Sequence, residues 1–308
     1  MPVPYTKTWL SISGQVQKLK DAGLVIRDDT AASLFLQHIN YFRFSGYALA
    51  FEKSRHVFIP GTTFEQIRLA YEFDRALRDF VTESLEIIEL DLRTAVAHTF
   101  AQTHGPFGHT LASNFMPVFD HPKREYTHAD WLEKVRNEVR RSRSLFIDHF
   151  KAHYLEYPDL PIWETTEIMS FGALSRMYRG MNKPDQKRVS SRYGLQPATL
   201  GSWILHLVYV RNLCAHHARL WDSLWSIKPD LPAGNIWMPP LLPGNGRLFA
   251  TLLIQNTLLR NCPSEKNFAN GWRLRVETLI TQHAPAAPSA ALKMGLPSDW
   301  RAHPSWID

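Results

Sequence analysis

The stretch Ala198-Thr-Leu-Gly-Ser-Trp-Ile-Leu-His-Leu-Val-Tyr-Val-Arg-Asn-Leu-Cys-Ala-His-His-Ala-Arg-Leu-Trp221 is the segment around which we expect the fold to be organised. Its apolar side chains recur at helical spacing at Trp203, Leu207, Val210 and Cys214, which predicts a helix with one buried face. The other faces carry five polar side chains, an unusual load for a helix packed in a core. They are Arg211, Asn212, His216, His217 and Arg219.

Three of these polar residues form one stripe on the predicted helix. Asn212, His216 and Arg219 lie at positions i, i+4 and i+7, so they share a face. Arg211 precedes His216 by five residues and is offset around the helix by about 140°, a gap that a long guanidinium can bridge. The set combines a fixed cation, a titratable imidazole and an amide, without a carboxylate. Such a set suits an anionic substrate.

The composition indicates a folded protein with a modest positive charge. The chain has 308 residues, of which 44 % are hydrophobic and 12 % aromatic, so it can bury a sizeable core and is not mostly disordered. The formal charge is +6 at pH 7 and the isoelectric point is about 9.3. Both values fit an anionic partner such as nucleic acid.

The sequence predicts a cytoplasmic protein without a membrane span. No apolar run reaches the roughly 18 residues needed to cross a bilayer, and the N-terminus lacks the apolar stretch of a signal peptide. The two cysteines, Cys214 and Cys262, do not suggest a disulfide framework. We interpret both as small buried residues in a reducing compartment.

Helical periodicity is present in most of the remaining chain. The longest periodic segment covers residues 64–102 and follows the cap candidates Thr62 and Thr63, which predicts a long scaffold helix. Shorter helices are predicted on both sides of it, whereas sustained alternation of period two is absent. We therefore predict an all-α fold.

The segment Ile39-Asn-Tyr-Phe-Arg-Phe-Ser-Gly-Tyr47 is dense in aromatic residues around one arginine. Aromatic and basic side chains in alternation can form a platform on which bases stack. A core cluster with Arg43 stacked at its edge is the more common structure, and we favour that interpretation.

A second arginine and histidine at similar spacing, Arg93 and His98, lie on the long predicted helix. We regard them as neighbours of the site formed by Arg211 and His216. Two simpler origins of this pattern stay open. The spacing often arises by chance on a long helix, and Glu89 is placed four residues before Arg93 for a simple ion pair.

Motifs for other chemistry are absent from the sequence. There is no phosphate-binding loop, dinucleotide motif or CxxC pair. Among the fourteen histidines, the best metal cluster is His216 and His217 with His206 or Cys214. Adjacent histidines on a helix point about 100° apart and rarely bind one ion together. We therefore expect neither a metal nor a cofactor.

With these motifs absent, the candidate chemical groups are those of Arg211, Asn212 and His216. They suffice for one reaction class, the cleavage of RNA by its own 2′-hydroxyl. An imidazole moves protons near neutral pH, and a guanidinium orients the phosphate and stabilises the charge of the transition state. Asn212 would position an imidazole or a phosphate oxygen. The expected products are a 2′,3′-cyclic phosphate and a 5′-hydroxyl.

The sequence Arg211-Asn-Leu-Cys-Ala-His216 resembles the Arg-x4-6-His signature of HEPN-type ribonucleases. The longer stretch 207–221 resembles the Abi-like family of bacterial abortive-infection proteins. Further stretches resemble that family in the same order along the chain. They are residues 36–47, 71–75, 88–94, 104–107, 161–163, 170–175, 192–195 and 294–300.

This resemblance implies a HEPN-like helical bundle with additional N-terminal and C-terminal helices, which we assign to a single domain of residues 1–308. The N-terminal part covers about residues 1–60, the HEPN-like core about 61–283 and the C-terminal tail 284–308. The resemblance also implies a role in phage abortive infection or as a toxin. Some family members are associated with a small RNA that restrains them, so a regulatory non-coding RNA is a further expected partner.

HEPN ribonucleases typically build the active site from two copies of the motif at a helical interface, and this chain has one strong copy. The resemblance therefore implies a homodimer with a composite site, or pairing of Arg211 and His216 with Arg93 and His98 within one chain. By the same resemblance, the expected catalytic residues are Arg211, Asn212 and His216. The residues expected to bind RNA or support the site are His217, Arg219, Arg93 and His98.

Three other interpretations fit the same residues. The protein could be an RNA-binding module without cleavage, for example for a regulatory small RNA, or an interaction toxin that does not act on RNA. The third is structural: Arg211, Asn212 and His216 would form a buried polar network that locks a helix pair. RNA cleavage that depends on these residues separates the ribonuclease from all three.

Overall fold

The computed structural model describes residues 4–6, 8–120 and 127–307. These residues form fourteen α-helices, short 3-10 segments and one small hairpin, so the predicted all-α fold is confirmed. The helices are α1 (Ile12–Asp21), α2 (Asp29–Ile39), α3 (Tyr41–Ala48), α4 (Phe64–His104), α5 (His128–Arg141), α6 (Leu145–His153), α7 (Ile162–Ile168), α8 (Phe171–Gly180), α9 (Lys183–Ser191), α10 (Pro197–Ala215), α11 (Leu248–Asn261), α12 (Lys266–His283), α13 (Ala290–Met294) and α14 (Pro304–Ile307). The hairpin strands are β1 (Glu52–Ser54) and β2 (Val57–Phe58), which are antiparallel.

The long helix α4 is the scaffold that its periodicity predicts. It has 41 residues, a length of about 60 Å. It begins with a capping box, in which Gln66 N–H donates to the Thr63 hydroxyl and Thr63 N–H donates to the Gln66 side chain. Helices α3, α7, α10, α11 and α12 pack along it. Charged residues recur throughout α4, and no helix in the described ranges is long and apolar enough to cross a membrane.

One hydrophobic core joins the two ends of the chain. The main cluster of buried residues extends from Val16 in α1 to Trp306 in α14. The apolar face of α10 lies inside this cluster, where Trp203, Leu207 and Val210 are fully buried as the helical spacing predicts. The described part of the tail, residues 284–307, therefore packs against the body of the protein, although its Pro-rich start is typical of a linker.

The aromatic segment 39–47 divides between core and surface. Phe44 and Tyr47 are buried, so the core interpretation is confirmed for these two residues. It is wrong for Phe42, which is 85 % exposed. Arg43 is half-buried and reaches the end of α10, where its guanidinium donates to the carbonyl oxygen of His217. This segment thus brings α3 to the predicted site.

Candidate functional site

The central helix ends earlier than we predicted from its sequence. Helix α10 stops at Ala215, and His216 is its C-cap residue with φ −94° and ψ 13°. His217 has a left-handed φ of 54°. The chain turns there, so the predicted helical stripe of Asn212, His216 and Arg219 does not continue to Arg219.

The turn after α10 is a Schellman motif. The N–H of His217 donates to the carbonyl of Cys214 at 2.9 Å, and the N–H of Ala218 donates to the carbonyl of Leu213 at 2.8 Å. Glycine usually occupies the left-handed position, because an L-residue there costs about 1–2 kcal/mol. Here a histidine occupies it, and both His216 and His217 are exposed at the end of the helix.

A buried ion pair of α4 holds the chain after this turn. Asp74 is fully buried and accepts hydrogen bonds from the backbone N–H groups of Leu220 and Trp221, both at 2.9 Å. Arg78 pairs with Asp74 and donates to the carbonyl of Ala218 at 3.2 Å. One carboxylate and one guanidinium thus satisfy three backbone groups of the segment that follows His217.

Two arginines link α3 to this segment in both directions. Arg43 of α3 donates to the carbonyl of His217, and Arg219 donates to the carbonyl of Gly46 in α3. The Arg219 guanidinium also lies 5.8 Å from the ring centre of Tyr47. Burial and the nearby Asp74 carboxylate raise the pKa of Tyr47, so its hydroxyl stays protonated and donates to that carboxylate at 2.8 Å.

A cavity of about 740 Å³ lies between α3 and the segment after α10. Its charged or titratable side chains are mostly cations or imidazoles. The charged side chains and imidazoles are Arg43, Arg219, His216, His217 and Asp222, and the titratable phenols are Tyr47 and Tyr209. The remaining lining residues are Ile39, Asn40, Phe42, Gly46, Leu213, Ala218, Ser223 and Leu224.

The negative charge of Asp222 is balanced from outside the cavity. Its carboxylate lies 3.4 Å from the Lys293 ammonium and 3.9 Å from the Arg247 guanidinium. Lys293 belongs to α13, and Gly295 next to that helix is packed so closely that a Cβ there would lie 2.7 Å from the Arg247 side chain. The C-terminal tail thereby helps to neutralise Asp222, and Arg43 and Arg219 leave the cavity positive overall.

Arg211 and Asn212 lie on another side of α10 and do not line this cavity. Asn212 is exposed, whereas Arg211 is half-buried and its Nε–H is buried without an acceptor. The side chains of Arg211, Asn212, His216 and His217 make no hydrogen bond or ion pair with the part of the chain that the structure describes. They do not form the buried polar network that would lock a helix pair.

Arg93 has a structural environment in α4. Its guanidinium is buried, pairs with Glu89 and donates to the carbonyl groups of Thr166 and Met169, the latter at 2.7 Å. The ion pair that the spacing favoured is therefore present. These bonds attach α4 to the end of α7. They use the guanidinium of Arg93, which we had regarded as a neighbour of the site.

His98 is exposed and lines a separate cavity of about 580 Å³ beside Trp163. Arg93 is fifteen residues along α4 from Arg78, a distance of about 22 Å. Because Arg78 contacts the segment next to His217, the structure does not bring Arg93 and His98 to the end of α10 within one chain.

The remaining candidates for other chemistry near α10 are buried. His206 lies 2.7 Å from the Ile227 carbonyl and 2.9 Å from the Thr251 hydroxyl, and burial lowers its pKa to about 4. Burial raises the pKa of the Cys214 thiol to about 11, so a thiolate does not form near neutral pH. In the described ranges no group of three or more His, Cys, Asp or Glu side chains is placed to hold a metal ion.

Residues 34–222, more than half of the chain, match the family model described as Abi-like protein. This chain belongs to the Abi-like protein family. The matched region contains α3, α4 and α10, so it includes both helices beside the cavity and the helix that holds the turn. No curated protein and no solved structure matches the chain.

Sequence reasoning missed three residues that build the site of this Abi-like protein. Arg43, Asp74 and Arg78 contact the segment after α10 from 140 to 174 residues away in the chain. A signal for two of them existed, since the stretches 36–47 and 71–75 both resemble the family. Helical periodicity alone could not connect those stretches to the end of α10.

Proposed function

We propose that this Abi-like protein is an endoribonuclease of abortive infection that cleaves RNA without a metal at a HEPN-type site formed by Arg211, Asn212 and His216. One observation carries the proposal. His216 and His217 line a positive cavity at the end of α10, whereas Arg211 and Asn212 lie on another side of the last turn of that helix, and none of the four side chains has a partner in the described chain. Membership of the Abi-like family supports the role in abortive infection.

The proposed reaction uses the 2′-hydroxyl of RNA as nucleophile. His216 takes the hydroxyl proton while the 2′-oxygen bonds to phosphorus and the bond from phosphorus to the 5′-oxygen breaks. A second imidazole returns a proton to that 5′-oxygen, and it belongs to His217 or to His216 of a second copy. Arg211 stabilises the added negative charge on the phosphoryl oxygens. The products are a 2′,3′-cyclic phosphate and a 5′-hydroxyl.

The environment of Arg211 supports a homodimer as the working form. The N–H groups of its guanidinium other than the buried Nε–H have no acceptor in the described chain, and a phosphate or a second chain at this face of α10 would supply one. Arg93 and His98 do not provide the second half of the site within one chain. A second copy of α10 is the source that the HEPN arrangement implies.

The decisive experiment is cleavage of labelled single-stranded RNA and tRNA in EDTA. Wild-type protein is compared with Arg211→Ala, Asn212→Ala and His216→Ala. The controls are Arg143→Ala and His283→Ala, which remove an exposed arginine and an exposed histidine from other surfaces. We expect cyclic-phosphate ends from the wild type and both controls, and a loss of about 10²–10⁴-fold for His216→Ala.

The outcomes separate the candidate functions. Cleavage that survives both Arg211→Ala and His216→Ala contradicts the proposed site. Tight, salt-dependent RNA binding without cleavage by any protein supports the alternative, an RNA-binding module for a regulatory RNA, which the cations of the cavity also favour. If the protein neither binds nor cleaves RNA, the remaining candidate function is an interaction toxin that does not act on RNA.

A further inference from the structure

An exposed aromatic ring marks the rim of the cavity beside His216. Phe42 is 85 % exposed, although it lies within a segment whose other phenylalanine, Phe44, is fully buried. It lines both the 740 Å³ cavity and a second cavity of about 1170 Å³ on the other side of α3. A large apolar side chain in this position does not stabilise the fold by burial, and its ring is accessible to a ligand at the rim of the cavity.

The backbone holds Phe42 in a fixed place. Asn40 has a left-handed φ of 69° and caps α3 by accepting the N–H of Phe42 at 2.8 Å. The ring therefore projects from the first turn of a helix, and that helix is tied to the end of α10 by Arg43 and Arg219. A stacking surface on such a support is preorganised, so binding a base to it does not require ordering a loop.

The two arginines leave donors free inside the cavity. Arg43 and Arg219 each use one Nη1–H to hold the opposite backbone. Apart from the Nε–H of Arg219, which is buried, the other N–H groups of both guanidinium groups are available, because they have no acceptor in the described ranges. Two guanidinium groups on facing walls present a phosphate with several charge-assisted hydrogen bonds.

We propose that this cavity binds the nucleotide next to the scissile phosphate of single-stranded RNA, with its base stacked on Phe42 and its phosphate held between Arg43 and Arg219. The inference rests on the proposed ribonuclease function. A volume of about 740 Å³ lies within the usual range for sites that enclose a small ligand. Stacking on an exposed ring requires an unpaired base, so the site selects single strands over duplex RNA.

The test measures binding apart from cleavage. All proteins carry His216→Ala, and the probe is a labelled ten-nucleotide single-stranded RNA at fixed salt. Adding Phe42→Ala is expected to weaken binding about tenfold, while Phe42→Trp retains it. The control is Phe146→Ala on α6, which truncates a phenylalanine that is 37 % exposed on another surface and is expected to leave binding unchanged. Adding Arg43→Ala is expected to lower the slope of log Kd against log salt by about one.

A crosslinking measurement locates the base directly. The same RNA with 4-thiouridine is irradiated with the protein, and crosslinked peptides are identified by mass spectrometry. We expect crosslinks within residues 41–48. Equal binding by the Phe42→Ala and Phe146→Ala proteins, or crosslinks confined to other helices, overturns the inference even if the wild type cleaves RNA. If the affinity for RNA depends on Phe42 but the wild-type protein does not cleave RNA, the result supports the inference and overturns the proposed ribonuclease function. Absence of RNA binding by every protein overturns both.

Discussion

His217 adopts a backbone conformation that is rare for histidine, at the position where the chain leaves α10. Its φ of 54° is stabilised by the Schellman bonds and by Arg43 on its carbonyl oxygen. Backbone strain of this kind concentrates at functional sites, where the surrounding structure maintains it. The imidazole itself has no partner in the described chain. Histidine in place of the favoured glycine is therefore consistent with a use for its side chain.

Two substitutions at His217 separate its backbone from its imidazole. His217→Gly removes the left-handed penalty, so we expect the free energy of unfolding to rise by about 1 kcal/mol. His217→Ala keeps a Cβ and is expected to change stability by less than about 0.5 kcal/mol. Urea unfolding measures both. If His217 donates the proton to the leaving oxygen, both variants lose RNA cleavage alike. A glycine variant less stable than the alanine variant contradicts the strain argument.

Asp74 is the residue on which we expect the position of the turn to depend most. Asp74→Asn leaves the buried guanidinium of Arg78 without its counter-charge and places an amide N–H₂ against backbone donors. We expect it to lower the free energy of unfolding by about 3–5 kcal/mol. The matched control on the same helix is Glu65→Gln, which breaks an exposed pair with Arg68 and should cost less than about 1 kcal/mol. Equal losses in urea unfolding would show that the buried pair does not hold the turn.

For the helices, the periodicity of the sequence predicted those features that depend on nearby residues. The start of α4 at Thr63 and the buried face of α10 follow from capping and from the spacing of apolar side chains. The end of α10 could not be predicted in this way, because no glycine or proline lies close after Ala215. Beyond that end, Arg43 and Arg78 bind the carbonyl groups of His217 and Ala218, and both arginines come from distant parts of the chain. The cavity depends on the same long-range contacts, so it could not be predicted from spacing.

The second Arg-x4-His element on α4 has a different expected behaviour from the first. Arg93→Met leaves two backbone carbonyl groups and Glu89 without their donor, so we expect a loss of about 1–3 kcal/mol in urea unfolding. His98→Ala removes an exposed ring and should change stability little. Neither variant is expected to change RNA cleavage by the folded protein more than about twofold. Loss of cleavage in a fully folded His98→Ala protein would restore this element to the active site.

For the whole molecule, two buried neutral histidines predict how stability depends on pH. Burial lowers the pKa of both His109 and His206 to about 4, against about 6.5 in the unfolded chain. Above pH 6.5 both states are neutral at these rings. As pH falls from 6.5 towards 4, only the unfolded state takes up protons, so each ring lowers the free energy of unfolding by roughly 1.4 kcal/mol per pH unit.

Urea unfolding at pH 7, 6, 5 and 4.5 measures this dependence. His206→Gln removes one of these titrations and should reduce the slope between pH 6 and 4.5 by roughly 1.4 kcal/mol per pH unit. His283→Gln, at an exposed position, should leave the slope unchanged. An equal slope for all three proteins would mean that other groups control the acid sensitivity.

The proposed reaction needs two imidazoles, so its mechanism depends on whether the protein is a monomer or a dimer. One chain supplies Arg211 and His216 once, and Arg93 and His98 lie about 22 Å and about 30 Å along α4 from Arg78, which contacts the segment after α10. If the site is composite, a dimer of Arg211→Ala with His216→Ala chains still holds one intact arginine and one intact histidine. We therefore expect a mixture of the two inactive variants to recover part of the wild-type cleavage rate after exchange of subunits. Light scattering should give a mass of twice the 35.5 kDa chain. A monomeric mass, or no recovery on mixing, would assign the whole reaction to one copy of α10, with His217 as the second imidazole.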